Sequence, residues 1–554
     1  MIVRRAAAVG AVAALAAGMV AASPAGAAPV ERRTSRHVLD FTKHPVADGP
    51  ARRTVPLGAS RTRAAGAVSV TIDVLDRHGD APATADDSSV TFAPLAGGDW
   101  IGADLADGHT AGEIPAGDYA VMTWVQTHEA DGVTSTALVY RPRVSVTSST
   151  RVLLDAREAV PINAVVDRTD SRVLGGVLSI GQRIGTETVD PIALVDVVHG
   201  YVTPTVAEPG LVVRTHAMLT RGGVEKGSPW LYNVAAIDRD RVPQDPGVRA
   251  RTEDLAAVRT TYGVPQGDGC ASEYVGAAWT GFGTSFPESV GAVPATRTEY
   301  FTPGVPWEMN TGFTGADCSF APDDTEAWTR VETFPRAGAY ERAWNVGPFG
   351  FGRFDSAPAR AIWGTGGDDA EPALAVSVLA TSTAGGPLAP VTGMTGTSVL
   401  RDADGKVVAT SDQPGMAHGW PAPKPGRYTL TIDATRKAPR SDLSTRQHAV
   451  WTLAVKNTEP LALPTIGYDT PLDLRSRARA GAEQPVTVKV DGATRRLTLD
   501  VSYDDGRSWQ TLPVEKSGTA WTATVHNPTT GYVSFRATAD GVEQTLIRAY
   551  GIKS

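Results

Sequence analysis

Leu497-Thr498-Leu499-Asp500-Val501-Ser502-Tyr503 decides how the rest of the chain is read. Leu497, Leu499, Val501 and Tyr503 alternate with Thr498, Asp500 and Ser502, the period of a strand with one buried face. Asp504-Asp505-Gly506-Arg507 then turns the chain, and Ser508-Trp509 begins a return strand. A second hairpin is expected over residues 521–525 and 532–537, and a last strand over 543–550. Together these predict a small antiparallel sandwich over 458–554, of fibronectin or immunoglobulin type.

The turn itself carries a pattern. Ser502, Asp504, Gly506, Ser508 and Trp509 have the spacing of the Asp-box, a hairpin that recurs in sialidases. Its physical content is local. The Asp carboxylate can accept from turn amides, Gly takes the tight backbone, and Trp packs beneath. One copy is read as a structural hairpin.

At 554 residues the chain implies about three to five domains. With 42% hydrophobic and 20% charged residues its bulk is globular. The 57 Gly and 39 Pro suit many short strands joined by turns. Arg4 and Arg5 precede an apolar run over residues 6–22 and then Ser23-Pro24-Ala25-Gly26-Ala27. This reads as a secretory signal peptide cut after Ala27. The protein is thus expected to be secreted and extracellular, with no membrane span after cleavage. The net charge of -8, with Arg concentrated before residue 64, argues against nucleic-acid binding.

The first folded unit is expected at 67–158, after a flexible leader or linker over 28–66. Val68, Val70, Ile72 and Val74 alternate, and the unit looks like a transthyretin-like, carboxypeptidase-regulatory sandwich. Its Pro115-Ala116-Gly117-Asp118-Tyr119 turn recurs as Pro423-Lys424-Pro425-Gly426-Arg427-Tyr428. A central β-rich domain is assigned to 159–345, with a helix over 252–262. That helix has Thr252 as cap, Glu253 and Asp254 in its first turn, and Leu255, Val258 and Tyr262 on one face. Residues 263–338 are read as loop-rich, ordered by a disulfide and by Trp279, Trp307 and Trp328. A further sandwich is assigned to 346–457. Its Asp402-Ala403-Asp404-Gly405 is a hairpin turn whose acids could also hold calcium, although no downstream Glu completes a ligand loop. The fold class is therefore mainly β, several sandwiches in tandem.

Cys270 and Cys318 are the two cysteines. In an oxidising compartment they are expected to form a disulfide, with two free thiols as the alternative. No Lys, Arg or His adjoins either in sequence, so the bond is read as structural.

With these pieces in place, the chain resembles the long non-catalytic region that follows the protease domain in large secreted subtilisin-like serine proteases of actinobacteria. The resemblance runs over about 67–551. It is carried by residues 502–509, by Gly531-Tyr532-Val533-Ser534 and by Val542-Glu543-Gln544-Thr545 with Ile547-Arg548-Ala549-Tyr550. Arg297-Thr298-Glu299-Tyr300, Trp344-Asn345 with Gly347-Pro348-Phe349-Gly350, and Ser444-Thr445-Arg446 add to it. It implies a region that supports folding or contacts substrate.

A subtilase also needs Asp, His and Ser in Asp-[Ser/Thr]-Gly, His-Gly-Thr and Gly-Thr-Ser-Met-Ala-x-Pro. Here His78, His199 and His418 precede Gly but none continues to Thr. Gly283-Thr284-Ser285 and Gly396-Thr397-Ser398 do not continue as the nucleophile motif. No esterase elbow, zinc-protease helix or nucleotide loop is present. No catalytic, cofactor-binding or metal residue is therefore assigned. The expectation is a secreted non-enzymatic accessory protein that contacts an extracellular protein or a cell-surface ligand. A carbohydrate-binding array, given 12 Trp, and a divergent hydrolase, protease or sialidase-like, are the alternatives.

Overall fold

The computed structural model describes residues 54–56, 67–82, 89–278, 286–318, 326–352, 360–364, 373–377, 379–382, 393–421, 424–456, 461–492 and 494–553. The stretch read as a signal peptide and Trp279 lie outside them. Among the described residues the chain is mainly strand, and Ala156–Glu158 and Thr252–Asp254 are short 3-10 turns.

The N-terminal strand pattern reads through directly. Val70, Ile72 and Val74 of strand Ala67–Leu75 are buried and their neighbours are not, as the alternation predicts. This strand lies between His109–Pro115 and Thr150–Asp155 in a three-stranded sheet. The sheet packs on a seven-stranded one through Val90, Phe92, Val121 and Val139. Within the stretch read as a leader, Thr54–Pro56 adds an edge strand, parallel to Trp100–Gly102.

The boundary near residue 158 is crossed by packing. The reverse face of that seven-stranded sheet contributes Ala93, Ala120, Met122, Leu138 and Tyr140 to a second core. Leu178, Ile180, Ala217, Tyr232 and Val234 of the central domain complete it. Strand Gly200–Val202 also pairs in parallel with Thr136, Ala137 and Leu138.

The central domain is itself a sandwich. Its larger sheet runs Glu187–Asp196, Ser171–Ile184, Val212–Arg221, Trp230–Arg239, Ala295–Phe301, Ala256–Tyr262 and Gly338–Trp344. A four-stranded sheet, Phe286–Val293, Gly269–Ala277, Pro306–Thr314 and Glu326–Thr333, covers the face away from the first unit.

Two expectations fail here. Residues 252–262 are not a helix: after the 3-10 turn, Ala256–Tyr262 is a strand. Leu255, Val258 and Tyr262 fit a helical face, but Ala256, Val258, Thr260 and Tyr262 fit period two as well, and all four are buried. Val258, Thr260 and Thr261 are β-branched and favour the pleated surface. Within 263–338 the described residues are mainly strands, not loops. On Gly269–Ala277, Phe286–Val293 and Ala295–Phe301 charged residues occupy inward positions and hide the alternation, whereas Pro306–Thr314 keeps it with Trp307, Met309 and Phe313 inward.

The C-terminal part is one sandwich across the expected boundary at 457. Strand Arg446–Val455 pairs with Val542–Lys553, from Arg446 opposite Ile547 to Trp451 opposite Val542. Leu430, Ile432 and Trp451 share a core with Val501, Phe535 and Leu546. The recurring Pro-Gly-Tyr turn is one device used twice. The Tyr119 hydroxyl donates to the Pro115 carbonyl at 2.6 Å, and the Tyr428 hydroxyl donates to the Lys424 carbonyl at 2.8 Å. At Asp402 the carboxylate accepts from the amides of Asp404 and Lys406, so it holds the hairpin turn.

Candidate functional site

The most unusual chemistry lies inside the central sandwich. On the larger sheet, Arg297 lies opposite Thr260 and Thr260 opposite Arg342, so the three form one row across three strands. On the facing sheet Glu288, Glu273 and Thr311 form another row. Arg297 donates to Glu299 at 2.8 Å, to Glu288 at 2.6 Å and to Glu273 at 2.9 Å. Arg342 pairs with Glu299 and lies 3.7 Å from Glu273. The Tyr262 hydroxyl contacts both Glu273 and Glu299, and Thr260 donates to Glu299 at 2.9 Å. Three carboxylates thus share two guanidiniums, with side chains only 0–4% exposed.

The unequal count sets the electrostatics. Burial, with the nearby Glu299 charge, raises the Glu273 carboxyl well above its ordinary range against the pull of Arg342 and Arg297. Burial acts upward on Glu299 too, but Arg342, Arg297 and the Tyr262 hydrogen bond outweigh it and hold Glu299 below its ordinary range. Burial also raises Glu288. Opposed shifts of this kind can serve acid–base chemistry. Here the groups lie between the two sheets, closed off from solvent.

His216, in the same core, meets Trp307 edge to face with centroids 5.1 Å apart. Burial lowers it to about 4, weakly opposed by a hydrogen bond with Asn233. It stays neutral in the fold while an unfolded chain takes up a proton near its ordinary value. Its contribution is therefore fully present above that value and is lost as pH falls towards about 4. Glu273 has the opposite sign: its contribution is full below the ordinary Glu range and is lost as pH rises through its raised value. Thermal unfolding at pH 7 and pH 4.5 should show an acid loss that His216→Gln reduces by roughly 2–3 kcal/mol. An unchanged loss would refute the assignment.

The Asp-box residues form a closed turn. Asp504 accepts from the amides of Arg507 and Ser508 at 3.0 and 2.9 Å and from the Ser508 hydroxyl at 2.6 Å. The Ser502 hydroxyl donates to Asp504 and accepts from the Gly506 amide. The Ser508 and Ser502 side chains and these amides hold Asp504 far below the usual carboxylate range. Gly506 has φ +84°, and a Cβ there would lie 2.7 Å from Ile547. The Arg536 guanidinium lies 4.8 Å from the Trp509 ring centre. The carboxylate is thus committed to the turn.

This hairpin forms a wall of an open groove of about 410 Å³. The floor is the solvated face of the C-terminal nine-stranded sheet. One register row crosses it: Asp433, His448, Thr545, Arg536, Asp500 and Thr511. His448 lies 2.6 Å from Asp433, and Arg536 donates to Asp500 at 2.9 and 2.8 Å. Gly396 lies at the far side, where a Cβ would sit 1.9 Å from the Asp433 carbonyl. An adjoining groove of about 360 Å³ continues past Lys437, Thr445 and Arg548. Sequence reading found the hairpin but not the groove, because its floor comes from strands over 100 residues apart.

Cys270 and Cys318 are joined, with Cα atoms 5.1 Å apart, inside the bridging limit. Sequence neighbours gave no cation beside either sulfur. The fold supplies one: Lys226 Nζ donates to Cys318 Sγ at 3.4 Å. Among the described residues, no His, Cys, Asp and Glu group forms a candidate metal site, and no helix is long and apolar enough to cross a membrane.

No known family model matches the chain, and no curated protein matches it. Among solved structures it is similar to the N-terminal eight Ig domains of Down Syndrome Cell Adhesion Molecule isoform 1.30.30. That likeness has 11% identity, covers 88% of this chain and 84% of that chain, and has a TM-score of 0.14. It is also similar to a protein described as an adhesin from Bacteroides ovatus, with 10% identity, 48% and 83% covered, and a TM-score of 0.15. At these scores the likenesses carry no argument, and the fold class rests on the strands themselves.

Proposed function

We propose that this protein is a secreted, non-enzymatic accessory or binding protein, akin to the ancillary region of subtilases, and that the groove beside the Ser502–Trp509 hairpin is its contact surface. The groove carries the proposal. It is concave and open, it is lined by both polar and apolar surface, and its wall is held by bonds internal to the turn. The carboxyls of Glu273, Glu288 and Glu299, by contrast, are sealed in the core. The disulfide suits an oxidising compartment.

Thr545→Trp fills the groove floor without changing charge. Wild-type chain immobilised in the producing organism's culture fluid should enrich an extracellular component, read by mass spectrometry, that Thr545→Trp does not. A fluorophosphonate probe should leave the chain unlabelled. Equal enrichment by both chains, or labelling, would overturn the proposal.

A further inference from the structure

We infer that the groove takes an acidic polysaccharide. The inference rests on the groove being the contact surface and adds the class of ligand. The two adjoining grooves are lined by Arg436, Lys437, Arg446, Arg536 and Arg548 against Asp433 and Asp505. Arg536 is paired with Asp500, Arg548 with Asp505, and Arg436 is buried over the Phe349 ring, so Lys437 and Arg446 are the exposed cations of this lining, on a chain whose net charge is -8. The carboxylates are already engaged: Asp433 with His448 at 2.6 Å, and Asp505 with Arg548 at 3.0 and 2.8 Å. Arg446 is exposed and donates to the backbone carbonyl of Asp505, whose carboxylate is held by Arg548. Lys437 is exposed, one residue past the end of strand Gly426–Arg436. An anionic ligand is the charge complement of this surface.

The shape selects a saccharide over a peptide. Extended peptides bind sheets by adding a strand at an open edge, with side chains in alternating pockets. This floor is a sheet face, and its backbone groups are spent in ladders on both sides of strands Arg446–Val455 and Val542–Lys553. It offers side-chain donors and acceptors: Thr435, Thr445, Thr545 and His448 beside the cations. Among the lining side chains only Ala434, Ile547 and Trp509 are apolar, and Ile547 is 6% exposed, so there is no apolar anchor pocket. Hydroxyl, guanidinium and ammonium groups over a shallow floor of mixed polar and apolar surface fit a hydroxylated polymer bearing carboxylate or sulfate groups.

The test uses the full secreted chain with polygalacturonate, dextran sulfate, neutral dextran and poly-L-glutamate. Binding is expected to polygalacturonate or dextran sulfate, not to neutral dextran, and the two arms separate a carboxylated from a sulfated ligand. Raising salt from 0.05 to 0.5 M should weaken it more than tenfold. Lys437→Glu with Arg446→Glu should also weaken it at least tenfold, with the unfolding temperature unchanged, since both side chains are exposed. Binding to poly-L-glutamate alone would assign an acidic peptide and overturn the inference. No binding to any acidic polymer, or no effect of the double variant, would also overturn it. If Thr545→Trp still abolishes capture of an extracellular component, the contact surface stands and only the ligand class falls.

Discussion

Arg297→Met is expected to destabilise the central sandwich by about 3–5 kcal/mol. Arg297 is the shared partner of Glu273, Glu288 and Glu299, and it bridges the two sheets. Methionine keeps most of the volume, so the loss is electrostatic more than steric. Three carboxylates would be left with Arg342 alone among fully buried groups. Glu273 and Glu288, already raised by burial, would rise further. More protons held in the fold than in the unfolded chain make stability fall as pH rises. The variant should therefore lose more at pH 8 than at pH 5.5. Glu288→Gln added to Arg297→Met should recover part of the loss, because it removes one uncompensated charge. The readout is the urea midpoint of hydrogen exchange in strands Ala256–Tyr262 and Gly269–Ala277. A wild-type midpoint for Arg297→Met would show that the layer contributes nothing net to folding.

This layer also explains what could be read from the sequence. Strands with a clean contrast between faces were legible: Val68 to Val74, Leu497 to Val501, and the returns ending at Tyr119 and Tyr428 all fall as expected. In the central domain the inward face carries Arg297, Glu299 and Phe301 on one strand, and Ala271, Glu273, Val275 and Ala277 on another. Charges at these buried positions erase the apolar alternation of both strands. A signal was present. Arg297 and Glu299 stand in phase with Phe301, and Arg342 stands in phase with Tyr340 and Trp344. A charge that keeps step with large aromatic residues along a strand points into the core and requires a partner there.

The hairpin at Ser502 was legible because every bond that defines it is local. The groove was not, because its row joins residues from Asp433 to Arg536. Likewise the sequence boundary at 457 marked a change in composition, whereas pairing of Arg446–Trp451 with Val542–Ile547 runs across it. Local turn chemistry is written in neighbours; sheet closure is written in faces, and several alternative partners satisfy the same face.

Cys270→Ala with Cys318→Ala should cost about 4 kcal/mol on the chain-entropy model, given the separation of 48 residues. The effect should extend beyond the central sandwich. Cys270 lies one residue into its strand, directly after segment 263–269, which contacts the C-terminal unit. Val264 donates its amide to the Leu474 carbonyl at 3.0 Å, and Gln266 donates to the Arg440 carbonyl at 2.9 Å. Arg475 donates to Asp268 at 2.8 Å. Arg440 also donates to the Phe313 carbonyl at 3.2 Å, just before the turn that holds Cys318. The disulfide thus ties together the two pieces of backbone that Arg440 grips. Losing it should speed amide exchange at Val264 and Gln266 and open the chain to proteases around 315–318. Strand Ala67–Leu75 should stay protected, since its core contains neither cysteine. Two titratable thiols in the denatured secreted protein would refute the bond. Unchanged exchange at Val264 and Gln266 in the double variant would instead show that the arginine contacts hold the junction without it.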